Sequence, residues 1–308
     1  MIRRILASAL IVGSLSLDAV VSNAWTGAQN NSVQAASQQV QIHEYREAAK
    51  VPWSGNWWPA NGSAPSLIAE NGPLHKYDYF VEVLTGVNPG ARKWERENLY
   101  FPGVGWAGHC NGFAAASIIE PEPNRDYQMH GVKFTPGDVK GLLSAYHIAD
   151  AQLWALGDAK YLSPAQFHNA LLTWMGEQGM SFVVTFVIDG NQAWNMPLLA
   201  YETTMTQITE EQWSVSTRIW MADYNVPANS IGTVAYPNSS GLEFRYTLFG
   251  DPRQPYDGEW KSVSNGGRLG NHYPQQIWYP DPLRRYSSVN NIGLDKKILD
   301  EIVLNTSG

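Results

Sequence analysis

Helical spacing of apolar residues characterises the first part of the chain. The clearest example is LSPAQFHNALLTWMGEQG (162–179), where Phe167, Leu171 and Met175 fall on one face of a helix. Ser163 stands in the capping position and a proline follows it, as is typical of a helix start. A similar start predicts a helix over 134–150. The pattern therefore predicts a mainly helical N-terminal half.

Beyond the glycine at 179 the period changes to that of β-strands. The β-rich segments are separated by turn signals and lie at 180–190, 193–208, 213–224, 231–237 and 242–251, with a last short strand at 275–282. A short amphipathic helix is predicted over 294–304. Helices first and mostly antiparallel strands later indicate an α+β fold, with the helices packed on the sheet.

The first 24 residues have the organisation of a secretory signal peptide. Two arginines precede an apolar stretch of about 13 residues, too short to span a bilayer because a spanning helix needs about 20. Ser22 and Ala24 have the small side chains of a cleavage site after Ala24. We therefore expect a secreted or periplasmic protein without a membrane anchor after cleavage. Residues 25–45, rich in Gln, Asn and Ser, are predicted to be a flexible lead-in, and 46–308 a single domain.

Composition argues against several classes of partner. The net charge is −7 and no basic stripe occurs, so neither nucleic acid nor an anionic membrane is expected as a partner. Aromatic residues make up 12% of the chain and 13 of them are tryptophan, which indicates an aromatic-rich globular domain. His, Cys, Asp and Glu residues do not cluster at the spacing of metal ligands, so no metal or cofactor is predicted, while calcium dependence stays open.

The sequence contains one cysteine, Cys110, within GVGWAGHCNGFAAASI (103–118). A single cysteine cannot form a disulfide within the chain, which leaves a buried core residue, an intermolecular link or a reactive thiol. Gly103, Gly105 and Gly108 allow the backbone to approach a substrate closely. The small residues after Cys110 predict a helix starting there, whose free N–H groups favour a thiolate and stabilise an oxyanion. The surroundings therefore favour a nucleophile as much as a core residue.

A thiolate nucleophile needs a histidine as proton acceptor and a third group that orients the histidine. His168 lies beside the apolar face of the helix 162–179, and His272 lies in a glycine-rich loop before an aromatic strand. Both positions suit a general base, and both also suit a structural role, as a packing residue and a loop residue respectively. His130 and His147 follow an apparent loop and an apparent helix end, and are interpreted as surface or capping residues.

Three segments together resemble the transglutaminase elicitor family, which is known from oomycete cell-wall glycoproteins and has bacterial relatives. The segments are GWAGHCNGFAAASIIEPEP (105–123), SPAQFHNALLTWMG (163–176) and FVVTFVIDGNQAWNMPLLAYE (182–202). In the third segment Trp194, Asn195, Pro197 and Tyr201 match the family's Trp-Asn-x-Pro surface motif. The similarity extends over about residues 50–285, which is nearly all of the chain after the signal peptide.

The resemblance implies a papain-like or transglutaminase-like thiol enzyme core, so that 46–308 would be a single catalytic domain. It also implies protein-glutamine γ-glutamyltransferase activity. Cys110 would attack the γ-carboxamide of a glutamine side chain and release ammonia, and a lysine amine would then convert the thioester into an isopeptide bond. The implied partners are proteins with exposed glutamine and lysine residues.

The resemblance to transglutaminases, which generally order their triad cysteine, histidine and aspartate along the chain, implies the site residues. His168 is the implied general base, with His272 as the alternative, and Asp189 is implied to orient the histidine. We further predict that Trp106, Trp194 and Asn195 bind the substrate.

Two other functions stay open. A papain-like cysteine peptidase or amidase would use the same Cys110, with His272 paired to an acid such as Asp251 or Asp281. A non-catalytic secreted binding protein would instead use its tryptophans to contact partners, and Cys110 would then be inert.

Overall fold

The structure, a computed structural model, describes residues 40–150, 152–158, 161–282 and 291–307. The predicted signal peptide and most of the predicted lead-in lie outside the described residues. The helices are α1 (Pro73–Thr85), α2 (Ala91–Asn98), α3 (Cys110–Ile119), α4 (Pro136–Tyr146), α5 (Pro164–Ala170) and α6 (Lys296–Thr306). The strands are β1 (Gln41–Glu47), β2 (Tyr127–Met129), β3 (Val132–Phe134), β4 (Gln152–Gly157), β5 (Val183–Ile188), β6 (Gln192–Thr209), β7 (Gln212–Ala222), β8 (Ala235–Tyr236), β9 (Leu242–Phe249), β10 (Asp257–Ser264) and β11 (Gln276–Pro280).

Local capping explains where the predicted helices begin. The Ser163 hydroxyl accepts the Gln166 N–H at the start of α5, and the Gln166 side chain accepts the Ser163 N–H in return. The same capping box joins Thr135 and Asp138 at the start of α4. After α5 the chain continues as a π-helical segment, Leu171–Glu177, so the helix predicted over 162–179 is present with a change of winding in its second half.

Within the described residues, nine strands form one central sheet. Its main strand order is β10-β9-β7-β6-β5-β11-β4, with β1 added beside β6 and β8 beside β7, and its paired strands are antiparallel. β2 and β3 form a separate small hairpin. The predicted α+β class with a mainly antiparallel sheet is therefore confirmed.

The sheet recruits strands that the sequence pattern does not predict. Residues 41–45, expected in the flexible lead-in, form most of β1, which pairs with β6 from Gln41 opposite Thr206 to Glu47 opposite Ala200. β4 comes from the predicted helical half and pairs with β11. Both strands pair with strands far away in the sequence, so their own residue patterns do not predict them.

Close packing of α3 fixes the direction of its N-terminus. Phe113 and the three alanines after it are fully buried, and the Phe113 ring meets Trp53 edge-on at a centroid distance of 5.5 Å. On the α4 side, a Cβ added to Gly112 would lie 2.0 Å from the Ser144 carbonyl oxygen, so only glycine allows this approach. α3 is thereby wedged between α4 and the sheet. Among the described residues no helix is both long and apolar enough to cross a membrane.

Candidate active site

Cys110 begins α3, as the sequence predicts, and is 6% exposed. The preceding residue anchors this turn, because the His109 N–H donates to the Trp57 carbonyl at 2.7 Å. The His109 ring lies 2.5 Å from a Glu95 carboxylate oxygen and 3.2 Å from the Trp58 carbonyl. His109 is therefore a buried anchor of the cysteine loop rather than a partner of the sulfur.

The glycines before Cys110 differ in what they permit. A Cβ on Gly108 would lie 2.4 Å from the Trp57 ring, so this position requires glycine for packing. Gly103 and Gly105 face open space, with no atom within 4 Å of an added Cβ. Gly103 and Gly105 therefore border open space, while Gly108 both packs on Trp57 and lines the cavity of Cys110.

The Cys110 sulfur contacts two residues of β6. The thiol is positioned to donate to the Ala193 carbonyl oxygen at 3.6 Å, and the Asn195 side-chain amide donates to the sulfur at 3.5 Å. The Asn195 side-chain oxygen accepts from the Thr185 hydroxyl at 2.7 Å and from the Trp278 indole N–H at 3.3 Å. Three strands, β5, β6 and β11, thus supply the polar groups behind the sulfur.

A cavity of about 380 Å³ opens in front of Cys110. One side is formed by the start of α3 together with Trp106, and the sheet side is formed by β5, β6 and β11. The third side carries His147, Asp150 and Gln152. A single nucleophilic thiol, an amide donor and a titratable pair therefore share one cavity, which is the composition expected of an active site.

His147 is held between two carboxylates at the end of α4. Its Nδ1 contacts Asp150, and its Nε2 lies 3.0 Å from a Glu120 carboxylate oxygen. Burial opposes the charged ring, but the hydrogen bonds and charges of Asp150 and Glu120 outweigh burial and raise the pKa of His147. The interpretation of His147 as a surface or capping residue is wrong in one respect: it caps α4, but it is buried and lines the cavity that contains Cys110.

Burial decides the protonation of the Cys110 thiol. Removal of the sulfur from water raises the pKa of the Cys110 thiol, although hydrogen bonds from the Asn195 side chain and from the backbone at Asn195, Asn111 and Cys110 act to lower it. The sequence-based expectation of an acidified thiol is therefore not met. The helix terminus and Asn195 contribute in the expected direction, but desolvation is larger.

Residues 90–156 match the model of the transglutaminase elicitor family. The matched segment contains Cys110, α3, α4 and the His147–Asp150 pair. The crystal structure of the GP42 transglutaminase from Phytophthora sojae is similar to this chain with a TM-score of 0.63, at 19% sequence identity. The similarity covers 85% of this chain and 91% of that one. No curated protein sequence matches the chain. The predicted resemblance to the transglutaminase elicitor family is confirmed, and the structural likeness shows a shared fold.

The structure does not assemble the triad implied by the transglutaminase elicitor resemblance. His168 is fully buried, with Nδ1 2.7 Å from the Tyr246 hydroxyl and Nε2 3.0 Å from the Pro252 carbonyl oxygen. Hydrogen bonds continue from Tyr246 through Thr217 to Thr203. Thr203 lies on β6 eight residues after Asn195, on the order of 20 Å along the strand. The His168 ring therefore faces the sheet far from the sulfur.

The other predicted acid and base residues also lie outside the described lining of the cavity. Asp189 is exposed in the turn between β5 and β6 with a φ of +51°. His272 is half-buried with its ring against Gly270. Asp251 accepts the Arg253 N–H, and Asp281 is fully buried. Asp189, the aspartate of the implied triad, lies away from the cavity because the turn directs its side chain into solvent.

Of the three residues predicted to bind the substrate, the structure places two at the cavity of Cys110. Trp106 and Asn195 line the cavity. Trp194 instead stacks on Tyr224, with ring centroids 5.1 Å apart, and meets Trp57 edge-on at 5.6 Å. No group of three or more His, Cys, Asp or Glu side chains in the described part of the chain is arranged to hold a metal ion.

The residues that sequence reasoning missed are His147, Asp150, Thr185 and Trp278. For the first pair a local signal exists, because a histidine followed three positions later by an aspartate at a helix end places the two side chains together. For Thr185 and Trp278 no local signal exists, since their partner Asn195 arrives through strand pairing.

Proposed function

We propose that the chain is an exported protein-glutamine γ-glutamyltransferase with Cys110 as its nucleophile. The observation that carries this proposal is the environment of Cys110. The single thiol of the chain lies at a helix N-terminus, in a cavity of about 380 Å³ that also holds an amide donor and a titratable His147–Asp150 pair. A cavity of this size accommodates a glutamine side chain and the tip of a second side chain.

In the proposed reaction the Cys110 thiol first loses its proton to solvent at the cavity mouth, and the thiolate then attacks the γ-carbonyl carbon of glutamine. The carbonyl oxygen becomes an oxyanion, and the free N–H groups at the start of α3 are placed to stabilise it. Collapse of this intermediate breaks the carbon–nitrogen bond, releases ammonia and leaves a thioester. A neutral lysine amine then attacks the thioester carbon, forms the isopeptide bond and expels the thiolate, which takes up a proton from solvent to become the thiol again.

His147 and Asp150 are the proposed acid–base pair. His147 carries a raised pKa, and its imidazolium form supplies the proton that the departing ammonia needs from Nε2, whose hydrogen bond to Glu120 breaks as the proton moves. Asp150 contacts the ring at Nδ1 and steadies the charged form. In the second half of the reaction the same pair takes up the proton that the lysine amine loses. This assignment replaces His168 and Asp189, which do not line the cavity.

Partners and location follow from the same proposal. Proteins with exposed glutamine and lysine residues are the substrates. Trp106 and Asn195, which line the cavity, are the proposed contacts for the donor segment. The half-buried Trp194, next to Asn195 on β6, is proposed as a further contact at its edge. Cleavage after Ala24 releases the mature chain outside the cytoplasm. Thioester chemistry uses no cofactor, and activity measured with and without EDTA tests for a calcium requirement.

The test is incorporation of dansylcadaverine into a glutamine-containing protein by the mature chain, residues 25–308. We expect incorporation by the wild type and its loss in Cys110→Ala. His147→Gln should lower kcat by about 10²- to 10⁴-fold. His168→Gln is the matched control, because it makes the same replacement at a histidine outside the cavity, and its folded fraction should keep its kcat.

Other outcomes identify the alternatives. Ammonia release or peptide cleavage without amine incorporation would identify a cysteine amidase or peptidase that uses the same sulfur. A wild-type chain that shows no activity and a thiol that does not react with iodoacetamide would instead support a non-catalytic binding protein.

A further inference from the structure

We propose that Asn195 is a catalytic residue that donates a hydrogen bond to the reacting sulfur, and that Thr185 and Trp278 are positioning residues that fix its amide. The kinetic part of this inference rests on the proposed function. The part that concerns the thiol is independent of the proposed function, because the hydrogen bond to the Cys110 sulfur affects thiol reactivity with any acyl acceptor.

A one-way chain of hydrogen bonds ends at the sulfur. The Trp278 indole N–H donates to the Thr185 hydroxyl oxygen at 3.1 Å and, at 3.3 Å, to the Asn195 side-chain oxygen. The Thr185 hydroxyl donates to the same Asn195 oxygen at 2.7 Å. The Asn195 amide nitrogen then donates to the Cys110 sulfur at 3.5 Å. Thr185 and Asn195 each receive a hydrogen bond on one side and give one on the other, while Trp278 only donates.

The direction of this chain is fixed by the indole. Tryptophan has an N–H donor and no acceptor, whereas a threonine hydroxyl can do both and an amide can be turned around. If the Asn195 amide were reversed, its NH₂ group would face the Trp278 N–H, and two donors would meet. Its oxygen would then face the sulfur and repel a thiolate. The indole therefore dictates which end of Asn195 reaches Cys110.

Burial makes the arrangement rigid. Thr185 is 5% exposed and Trp278 is 3% exposed, so water does not compete for their hydrogen bonds. Linked donors of this kind polarise one another, which strengthens the last bond of the chain, the one to the sulfur. A donor held in place before the reaction stabilises developing negative charge without reorganisation.

The Ala193 carbonyl explains why this donor matters. In the resting thiol the S–H points to the Ala193 oxygen, which favours the protonated form. When the proton leaves, that carbonyl offers the thiolate nothing, while the bond from Asn195 becomes charge-assisted and stronger. During acyl transfer the oxyanion forms on the carbon bonded to the sulfur, within reach of the same NH₂ group. The Asn195 amide thus offsets the cost of burying the thiolate and also stabilises the negative charge of the oxyanion.

The first measurement is the rate of Cys110 alkylation by iodoacetamide between about pH 6 and pH 10, followed by intact mass. The chain has one cysteine, so the label reports a single site. Asn195→Ala should move the pH midpoint upward and slow alkylation at pH 8 about tenfold. With the glutamine substrate, kcat should fall about 10²- to 10³-fold while KM changes much less.

The positioning residues are tested with variants that keep the packing. Trp278→Phe removes the indole N–H, and Thr185→Val removes the hydroxyl at nearly constant shape, so each should slow alkylation at pH 8 about fivefold. Thr185→Ser keeps the hydroxyl and should behave as the wild type. Trp260→Phe is the control for Trp278, because the Trp260 N–H donates to the Leu162 carbonyl instead.

Folding of each variant is checked by circular dichroism and by the thermal midpoint. The proposal is overturned if the folded Asn195→Ala chain has the wild-type alkylation profile, or if the wild-type thiol does not react in this pH range. Wild-type profiles for both Trp278→Phe and Thr185→Val would overturn the positioning roles. Shifted alkylation without amine incorporation by the wild type would support the inference and reject the proposed function.

Discussion

The His168 imidazole forms a buried hydrogen bond with Tyr246, with Nδ1 2.7 Å from the phenol oxygen. Nε2 faces the Pro252 carbonyl, so it carries a proton and donates to it; in the neutral ring Nδ1 then accepts the Tyr246 hydroxyl proton. Burial lowers the pKa of His168 to about 4, the Pro252 contact opposing this effect and Arg253 adding to it. His168 is thus a neutral structural residue that joins α5 to the sheet.

The stability of the fold should therefore depend on pH through His168. An unfolded chain binds a proton at this residue near pH 6.5, whereas the folded chain binds it only near pH 4, so falling pH favours unfolding between these values. His168 thereby removes about 3 kcal/mol from the free energy of unfolding as the pH falls across this window. In urea unfolding, the free energy of unfolding should differ less between pH 7 and pH 4.5 for His168→Gln than for the wild type. Equal differences for the two proteins would contradict the assignment.

Local sequence patterns predict the helices and strands that are determined by neighbouring residues. The capping of α5 by Ser163 and the strands after residue 179 follow from nearby residues, and the structure confirms them. β1 and β4 escaped prediction because their hydrogen-bond partners, β6 and β11, lie far away in the sequence. Their stability is a property of the assembled sheet.

In the candidate active site, too, some features depend on neighbouring residues and others on residues far away in the sequence. Cys110 was recognisable because its glycines and its helix adjoin it. Its polar partners come from the end of α4 and from β5, β6 and β11, which only the folded sheet brings together. The order of residues along the chain favoured His168, but order does not reveal that its ring is turned toward Tyr246. The three-residue spacing of His147 and Asp150 is a local signal that places the two side chains together at the end of α4, and the order of residues along the chain does not use it.

Gly112→Ala should destabilise the protein although alanine favours helices. The gain in helix propensity is about 1 kcal/mol. The added Cβ, however, would lie 2.0 Å from the Ser144 carbonyl oxygen, a backbone atom that moves only if α3 and α4 separate. We expect a net loss of about 2 kcal/mol and lower transferase activity, because the Cys110 turn shifts with α3. Gly103→Ala, which meets no atom within 4 Å, is the control and should unfold as the wild type does in urea.

Lys140→Met should be strongly destabilising. The Lys140 ammonium is 1% exposed, pairs with Glu122 at 2.7 Å and donates to the carbonyls of Ser54 and Ser230 at 2.8 and 2.7 Å. Removing it leaves those acceptors without a donor, at a cost of about 2–4 kcal/mol in the free energy of unfolding. Lys133→Met removes an exposed pair with Asp126 and should cost less than about 1 kcal/mol. Similar midpoints for the two variants would be inconsistent with the buried network.

His147 should hold its proton at a pH where His168 has none. Asp150 and Glu120 raise the pKa of His147 against the effect of burial, so the imidazolium form stabilises the fold below the ordinary histidine pKa. That stabilisation is lost as pH rises through the raised value.

Titration of the imidazole Cε1–H signals by NMR checks this expectation. At pH 6.5 His147 should be mainly protonated and His168 mainly neutral, and Asp150→Asn should move the His147 midpoint downward. A His147 midpoint at or below 6.5 in the wild type would remove the basis for its role as a proton donor. If the midpoint is raised, each molecule enters the reaction with the proton for the departing ammonia already next to the Cys110 cavity.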